Sequence, residues 1–533
     1  MKRLIYTLLV MMVVLPSVLR AQDVRITNQS PAVELELPPS LENAVRKIQY
    51  DLLGNEKGKS RIKVIDRNCL HIRFSFSPGQ TIQQDDWQVV VTPGFTPSFH
   101  WAPHLTPTDR HVVEQHVFRS PALIAADGQR VITLIPDLDI LLHGTPVRWY
   151  LDMDAPGNRL VLGMSNSRID DHVLFMKEAG ATYPAEEVEI GFYLMVHDDA
   201  DAVKNPFRAP LEFLWSRWGH ELYEAGNPVD ENLEKYVEHT YNWAFNTWSE
   251  SVWQEFSLDG KKVGAPVFIV NVTQSPNYPG EVNEREFRSI WNQAWFSSLR
   301  SASGLFRYAR RTGNAGLMEK ARLTKELALS FPQKNGFFPG LIGTKMHEVE
   351  IDGKKYNRSK GWETYYWGNS NRNPYTWNPV ESPFHILDMS WTALLMLRWY
   401  DELEKDKRLL EYAQTYGEAL LKIQSEQGFF PGWLHRETLE PMEHLNESPE
   451  TSLSATFLLK LHALTGDERY KVAALKAVDA VSREIILTGR WEDFETYWSC
   501  SRYGSDHLIG KKVERNNMYK QNNFSMFWTA EAL

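Results

Sequence analysis

Carboxylates, imidazoles and indoles crowd four stretches of this sequence, and their spacing limits what chemistry they could do. Cleaving a glycosidic bond needs two carboxyl groups, one to protonate the leaving oxygen and one to attack or to activate water. The acids best placed for that work are Glu381, Asp388, Glu447 and Glu450. Of these, Glu381, Asp388 and Glu447 form the expected catalytic set. Glu381-Ser382-Pro383 and Glu447-Ser448-Pro449 repeat one tripeptide ahead of two helix-like runs, which predicts that both glutamates reach one rim. Asp388 opens a predicted helix over 389–400. Each acid also has a plain structural reading. Asp388 suits an N-cap, Glu450 a first-turn acid, and Glu-Ser-Pro a turn that puts proline at the helix entry.

The same stretches hold Trp362, Trp367, Trp377, Trp433 and Trp498. Water discourages indoles in loops, so stacking on sugar rings is the expectation for them. His385, His435 and His507 could bond sugar hydroxyls or act as bases, and Arg502 could pair with a uronate carboxylate. With Tyr503 they complete the expected substrate-binding set. For each histidine or arginine, simple solvation or a structural bond is the competing reading. The twin segments Gly336–Gly340 and Gly428–Gly432, both Gly-Phe-Phe-Pro-Gly, read as loop packing rather than binding. No CxxC or HExxH spacing supports a metal, and no cofactor motif is present.

Two kinds of element must position these groups. Between about 23 and 209 the chain alternates apolar with polar, as in 61–65, 70–76, 87–92, 130–135, 159–164 and 188–196, which predicts antiparallel strands and a β-sandwich. One helix is expected before them, over 41–53 with Ser40 as its cap. From about Leu211 apolar residues recur three and four apart. Short turns at Thr312-Gly313-Asn314, Glu404-Lys405-Asp406 and Thr465-Gly466-Asp467 join the helices into hairpins. The order helix, short turn, helix, Gly-Phe-Phe-Pro-Gly, long loop, Glu-Ser-Pro repeats. Hairpin geometry gathers the long loops at one end, where sites usually sit.

This repeat, with the Leu-rich stretch 452–478 and its Thr-Gly-Asp turn, resembles the six-hairpin glycosidase-like superfamily, the (α/α)6 toroids. The resemblance covers about 211–533 and implies a carbohydrate-active enzyme, in which an N-terminal β-sandwich is common. It narrows substrate class more than reaction, because hydrolases, lyases and epimerases share that fold. About nine helices can be counted after Leu211, where a full toroid has twelve. The expectation is therefore an unfinished ring or a fragment.

Composition fits this reading. The chain has 533 residues, a formal charge of −10 and 19 tryptophans. An acidic chain without basic runs is not a nucleic-acid binder. Lys2 and Arg3 precede an apolar run to Leu15 and a small residue at Ala21, which predicts a signal peptide over 1–21. The expected parts are thus a signal peptide (1–21), a β-sandwich (22–209) and an α/α-toroid domain (210–533). Export to a periplasm or beyond follows, with no membrane attachment after processing. Cys69 and Cys500 are expected to be isolated thiols. The leading expectation is a glycoside hydrolase. A uronate lyase using Tyr503, His507, Tyr519, Arg502 and Lys520 is the alternative, and a non-catalytic glycan binder is a third.

Overall fold

The computed structural model of the chain describes residues 26–29, 32–35, 44–51, 58–103, 108–118, 121–171, 174–226, 232–268, 272–275, 277–284, 288–498 and 509–533. The expected signal peptide and Cys500 lie outside them. The chain divides into two compact units. One comprises 1–229 with 511–518, and the other 230–510 with 519–533.

The first unit is built from two antiparallel sheets. An eight-stranded sheet runs in the order Ile26–Gln29, Ala32–Leu35, Val45–Asp51, Asp86–Pro93, Arg159–Asp171, Trp149–Asp154, His111–Glu114, Leu174–Glu178. A six-stranded sheet runs Lys59–Asp66, Cys69–Phe76, Val188–His197, Val131–Pro136, Leu123–Ala126, Phe99–Trp101. Side chains alternate across a strand, so every second residue can enter one core. Trp87, Val89 and Val91 from one sheet share a core with Leu70, Ile72 and Phe74 from the other.

The helix expected over 41–53 is not formed among the described residues. Val45–Asp51 is a strand, and its register against Asp86–Pro93 slips between Val45 and Lys47. A bulge inserts one extra residue. Val45 and Ile48, three apart, are therefore both buried, and that spacing imitates a helix. The segment 511–518 completes this unit. Met518 joins its core, and Arg515 pairs with the buried Asp152 and Asp154.

Shorter α-helices, Arg208–Leu214 and His220–Gly226 among them, lie in the first unit. The described α-helices of nine residues or more lie in the second and are numbered from α1. They are α1 (Glu234–Asn242), α2 (Ser298–Thr312), α3 (Ala315–Leu329), α4 (Ile386–Glu402), α5 (Lys407–Lys422), α6 (Thr451–Thr465), α7 (Glu468–Val481) and α8 (Asn523–Ala532). The pairs α2–α3, α4–α5 and α6–α7 are hairpins, and their short turns follow from turn chemistry. Asn314, Asp406 and Asp467 cap α3, α5 and α7, accepting from the amides of Leu317, Arg408 and Arg469. Gly313 and Gly466 take left-handed φ values of 70° and 73° to end α2 and α6.

The duplicated Gly-Phe-Phe-Pro-Gly segments form a repeated seam. Gln333 Nε2 donates to the carbonyls of Gly336 and Tyr412, and Gln424 Nε2 donates to those of Gly428 and Ala473. Gly336 and Gly428 sit at φ 90° and 111°, and a Cβ on either would lie 2.6 or 2.5 Å from the carbonyl oxygen of Thr415 or Lys476. Phe337, Phe338, Phe429 and Phe430 are buried beside them.

The stretch after the first seam is not an open loop. It forms a hairpin, Met346–Ile351 with Lys354–Ser359. It also supplies two strands, Leu341–Thr344 and Tyr365–Gly368, to a small sheet with Ser289–Trp291. No helix among the described residues is long and apolar enough to cross a membrane.

Candidate functional site: a buried acid–imidazole cluster

The segments leading into α2, α4, α6 and α8 meet around His385. Phe384-His385 pairs with Trp433-Leu434 as a short antiparallel ladder, which joins the loop before α4 to the loop before α6. His385 is the N-cap of α4 and Glu450 the N-cap of α6, yet neither side chain caps its own helix. A missing cap costs about 1 kcal/mol. Instead the two residues meet, with His385 Nε2 3.2 Å from Glu450 Oε2. Across the ring, His385 Nδ1 lies 3.0 Å from Asp388 Oδ2, in the first turn of α4. That approach is close enough for an ion pair but misaligned for a hydrogen bond, so Asp388 Oδ2 is buried without a directed partner.

Each carboxylate also takes a backbone amide from another loop. Asp388 Oδ1 accepts from Ala294 N at 2.9 Å, and Glu450 Oε1 from Phe494 N at 2.8 Å. Next to Phe494, Asp493 accepts from Thr496 N at 3.2 Å and from Ser525 Oγ on α8 at 2.9 Å. Glu495 pairs with Arg372 at 2.8 Å. Asp388 is 1% exposed and Asp493 0%. Acids at helix N-termini are favoured by the helix dipoles, which eases their burial.

Burial alone would strip His385 of its proton. The charges of Asp388 and Glu450 outweigh it and hold the imidazole pKa at about 10, so it is a cation at neutral pH. Burial, reinforced by the negative charge of Glu450, pushes the Asp493 carboxyl up to about 7. Asp493 thus keeps a large share of its proton near neutrality. Lys520 is brought down to about 8 by burial, against the pull of Glu492.

Trp433 walls the cluster. Its indole stacks on His385, with centroids 5.2 Å apart and planes at 17°, and meets Tyr375 edge-on at 5.9 Å. Tyr375 in turn stacks on His444 at 5.2 Å. Beneath the acids lies a layer of hydroxyls. Ser390 Oγ is 2.7 Å from Tyr416 OH and 2.8 Å from Ser454 Oγ.

The structure therefore brings together Asp388, His385 and Trp433 from the expected set. It places the others elsewhere. Glu381 and Glu447 are exposed, and Glu447 faces Arg490 at 3.6 Å. The serine and the proline of each tripeptide are buried, and the serine is hydrogen-bonded. Ser382 Oγ donates to Asn378 O and Ser448 Oγ to Glu492 O. Trp362 stacks on Phe256 at 4.2 Å, and Trp367 packs on Phe331 at 4.6 Å, so both serve the small sheet's core. Trp377 is 73% exposed. His435 is exposed and accepts from the amides of Glu437 and Thr438 through Nδ1, closing a turn. Arg502, Tyr503, His507 and the Trp498 side chain lie outside the described residues.

Sequence reasoning named Glu450 without placing it in the catalytic set, and it missed Asp493. The signal for Asp493 was the run Trp491-Glu492-Asp493-Phe494-Glu495, where three acids stand among two aromatic residues. All three of those acids are buried.

No family model matches the sequence. No curated protein matches it either. Solved structures similar to it include an unsaturated glucuronyl hydrolase from Bacillus sp. GL1, described as responsible for the degradation of glycosaminoglycan. It is 16% identical over 49% of this chain and 60% of that one, with a TM-score of 0.31. A possible member of the GH105 family from Salmonella enterica serovar Paratyphi A is 11% identical over 62% of this chain and 76% of that one, with a TM-score of 0.34. A polysaccharide lyase is 10% identical over 87% of this chain and 59% of that one, with a TM-score of 0.25. This chain spans about three fifths of the length of the glucuronyl hydrolase.

Proposed function

We propose that the chain is an exported carbohydrate-active enzyme that hydrolyses a glycosidic bond, with a β-sandwich unit followed by hairpins of an α/α toroid. The observation that carries the reading is the pairing of His385 with Glu450, two N-cap residues that leave their own helices uncapped. Local rules are broken where function demands it.

In this reading Asp493, still protonated near neutral pH, donates to the leaving oxygen. Asp388 and Glu450 supply the carboxylate that attacks or activates water, with His385 holding both in place. The open acceptor position on Asp388 Oδ2 makes it the first choice for that role. Because these acids are covered, turnover requires the loops above them to part and admit a sugar.

Sugar release by Asp388→Asn, Glu450→Gln and Asp493→Asn tests this. Each substitution is expected to lower kcat by about 100-fold or more. Glu381→Gln and Glu447→Gln are expected to stay near wild type. If the three buried-site variants all keep full activity, the cluster is structural and the assignment is lost.

A uronate lyase is the second reading, favoured by the low pKa of the buried Lys520 ammonium. Elimination creates an unsaturated product that absorbs in the ultraviolet, whereas hydrolysis does not.

A further inference from the structure

A cavity of about 580 Å³ lies between α1, α2 and α3, in the same unit as the acid–imidazole cluster. None of its lining residues belongs to the acid–imidazole cluster. Asn314, at its edge, starts α3 in the short turn after α2. The cluster gathers at the opposite end of that hairpin, where Ala294 precedes α2. A helix of that length separates the two ends by about 22 Å.

The lining has a consistent chemistry. Tyr241, Phe245 and Tyr308 present aromatic surface, with Tyr241 and Tyr308 centroids 4.8 Å apart and Tyr241 and Phe245 6.1 Å apart. Asn242 and Asn246 stand beside them, and Asn246 Nδ2 donates to Asn242 Oδ1. One bond between two amides uses one donor and one acceptor, so the pair keeps both kinds to offer. Charge does not accumulate. The lining holds Lys235 and Lys320 against Glu238, with His239 beside them. Glu255, outside the lining, offsets Lys320 from 3.7 Å, while the Lys320 ammonium lies over Trp253 at 4.6 Å.

Aromatic faces suit the C–H face of a pyranose, and side-chain amides suit its hydroxyls. With Glu238 and Glu255 offsetting the two lysines, the cavity holds no concentrated positive charge for a phosphate or a uronate. The volume falls within the range of small-molecule sites. We propose that this cavity is a non-catalytic binding site for a neutral oligosaccharide, separate from the acid cluster. It rests on the cavity's own chemistry and not on the hydrolase reading.

Calorimetric titration of the full chain with maltohexaose, cellohexaose, xylohexaose and mannohexaose tests it. At least one is expected to give saturable heat. The exposed double substitution Asn242→Ala with Asn246→Ala, and separately Tyr308→Ala, should weaken that binding by roughly tenfold or more. Asp493→Asn should leave it unchanged. If Tyr308→Ala unfolds the chain, the asparagine pair decides. The proposal is overturned if none of the four sugars binds, or if binding survives the cavity substitutions and disappears with Asp493→Asn. Because heat is read rather than turnover, a chain that binds but releases no sugar would refute the hydrolase reading and leave this one standing.

Discussion

His385 and Glu450 begin two different helices, α4 and α6, and their side chains meet each other at 3.2 Å instead of capping the helices they start. Asp388 holds the other ring nitrogen at 3.0 Å. An imidazolium between two carboxylates, walled by Trp433, is a buried triad of charges with one surplus negative.

Removing the cation should be costly. His385→Gln leaves two buried carboxylates uncompensated, with an expected loss of about 3–5 kcal/mol. Urea unfolding at pH 7 measures it. The pH dependence gives the sign. The native pKa, about 10, lies above the unfolded value of about 6.5. The stabilisation is therefore full below pH 6.5 and fades as pH rises toward 10. The variant should lack that decline, and an equal decline in both proteins would rule out His385 as its source.

Asp493 behaves in the opposite sense for a carboxyl. Its native pKa, about 7, lies above the ordinary value of 3.8. Its contribution to stability is full below pH 3.8 and is lost as pH rises through 7. Asp493→Asn should thus stabilise the fold at pH 8, by up to about 4 kcal/mol, with little difference at pH 4. Thermal melts across that range read it. The same titration predicts that sugar release falls above pH 7 as the donor proton is lost.

The repeated seam predicts a matched pair of effects. Gly336→Ala and Gly428→Ala each add a Cβ against a backbone carbonyl at positive φ. Each should cost more than about 2 kcal/mol. Gly466→Ala, also at positive φ but facing open space, should cost about 1 kcal/mol. Equal losses at all three sites in chemical denaturation would mean that the close approach is unimportant.

Arg515 offers a test in the strand unit. It is flanked by Asp152 and Asp154, and Asp154 has a second cation in Arg159. Arg515→Ala strands Asp152, so a loss of about 3–5 kcal/mol is expected. Arg515→Lys keeps the charge without the two-pronged fork and should fall between. Differential scanning calorimetry ranks the three proteins. Indistinguishable melting temperatures would show that the pair contributes nothing.

Strands and helix hairpins were legible because their signals are local. The alternation in 70–76 and 188–196 and the Asp and Asn caps at 314, 406 and 467 act within a few residues. The bulge near Val45 defeated the same reasoning, since one inserted residue turns a two-residue period into a three-residue one. Around the site, the tripeptide repeat drew attention to Glu381 and Glu447. The repeat preserves Ser382 and Ser448, whose hydroxyls bond backbone carbonyls, and the neighbouring glutamates are carried along on the surface. Trp362 and Trp367 looked like loop residues because the small sheet that they pack in or against pairs its central strand 341–344 with 289–291 on one side and 365–368 on the other, across a span that sequence patterns do not reach. Asp493 was hidden for a similar reason. Its protonation depends on Glu450 and Ser525, both distant in sequence.

The return of 511–518 to the strand unit sets an order of assembly. A ribosome makes most of the two sheets first, then α1 to α7, and only afterwards Arg515 and Met518. Until then Asp152 has no Arg515 beside it, and the shared core lacks the Met518 side chain that joins it. The part of the molecule that begins to form earliest is thus among the last to be finished, and a chain stalled before Arg515 would expose that defect to chaperones and proteases.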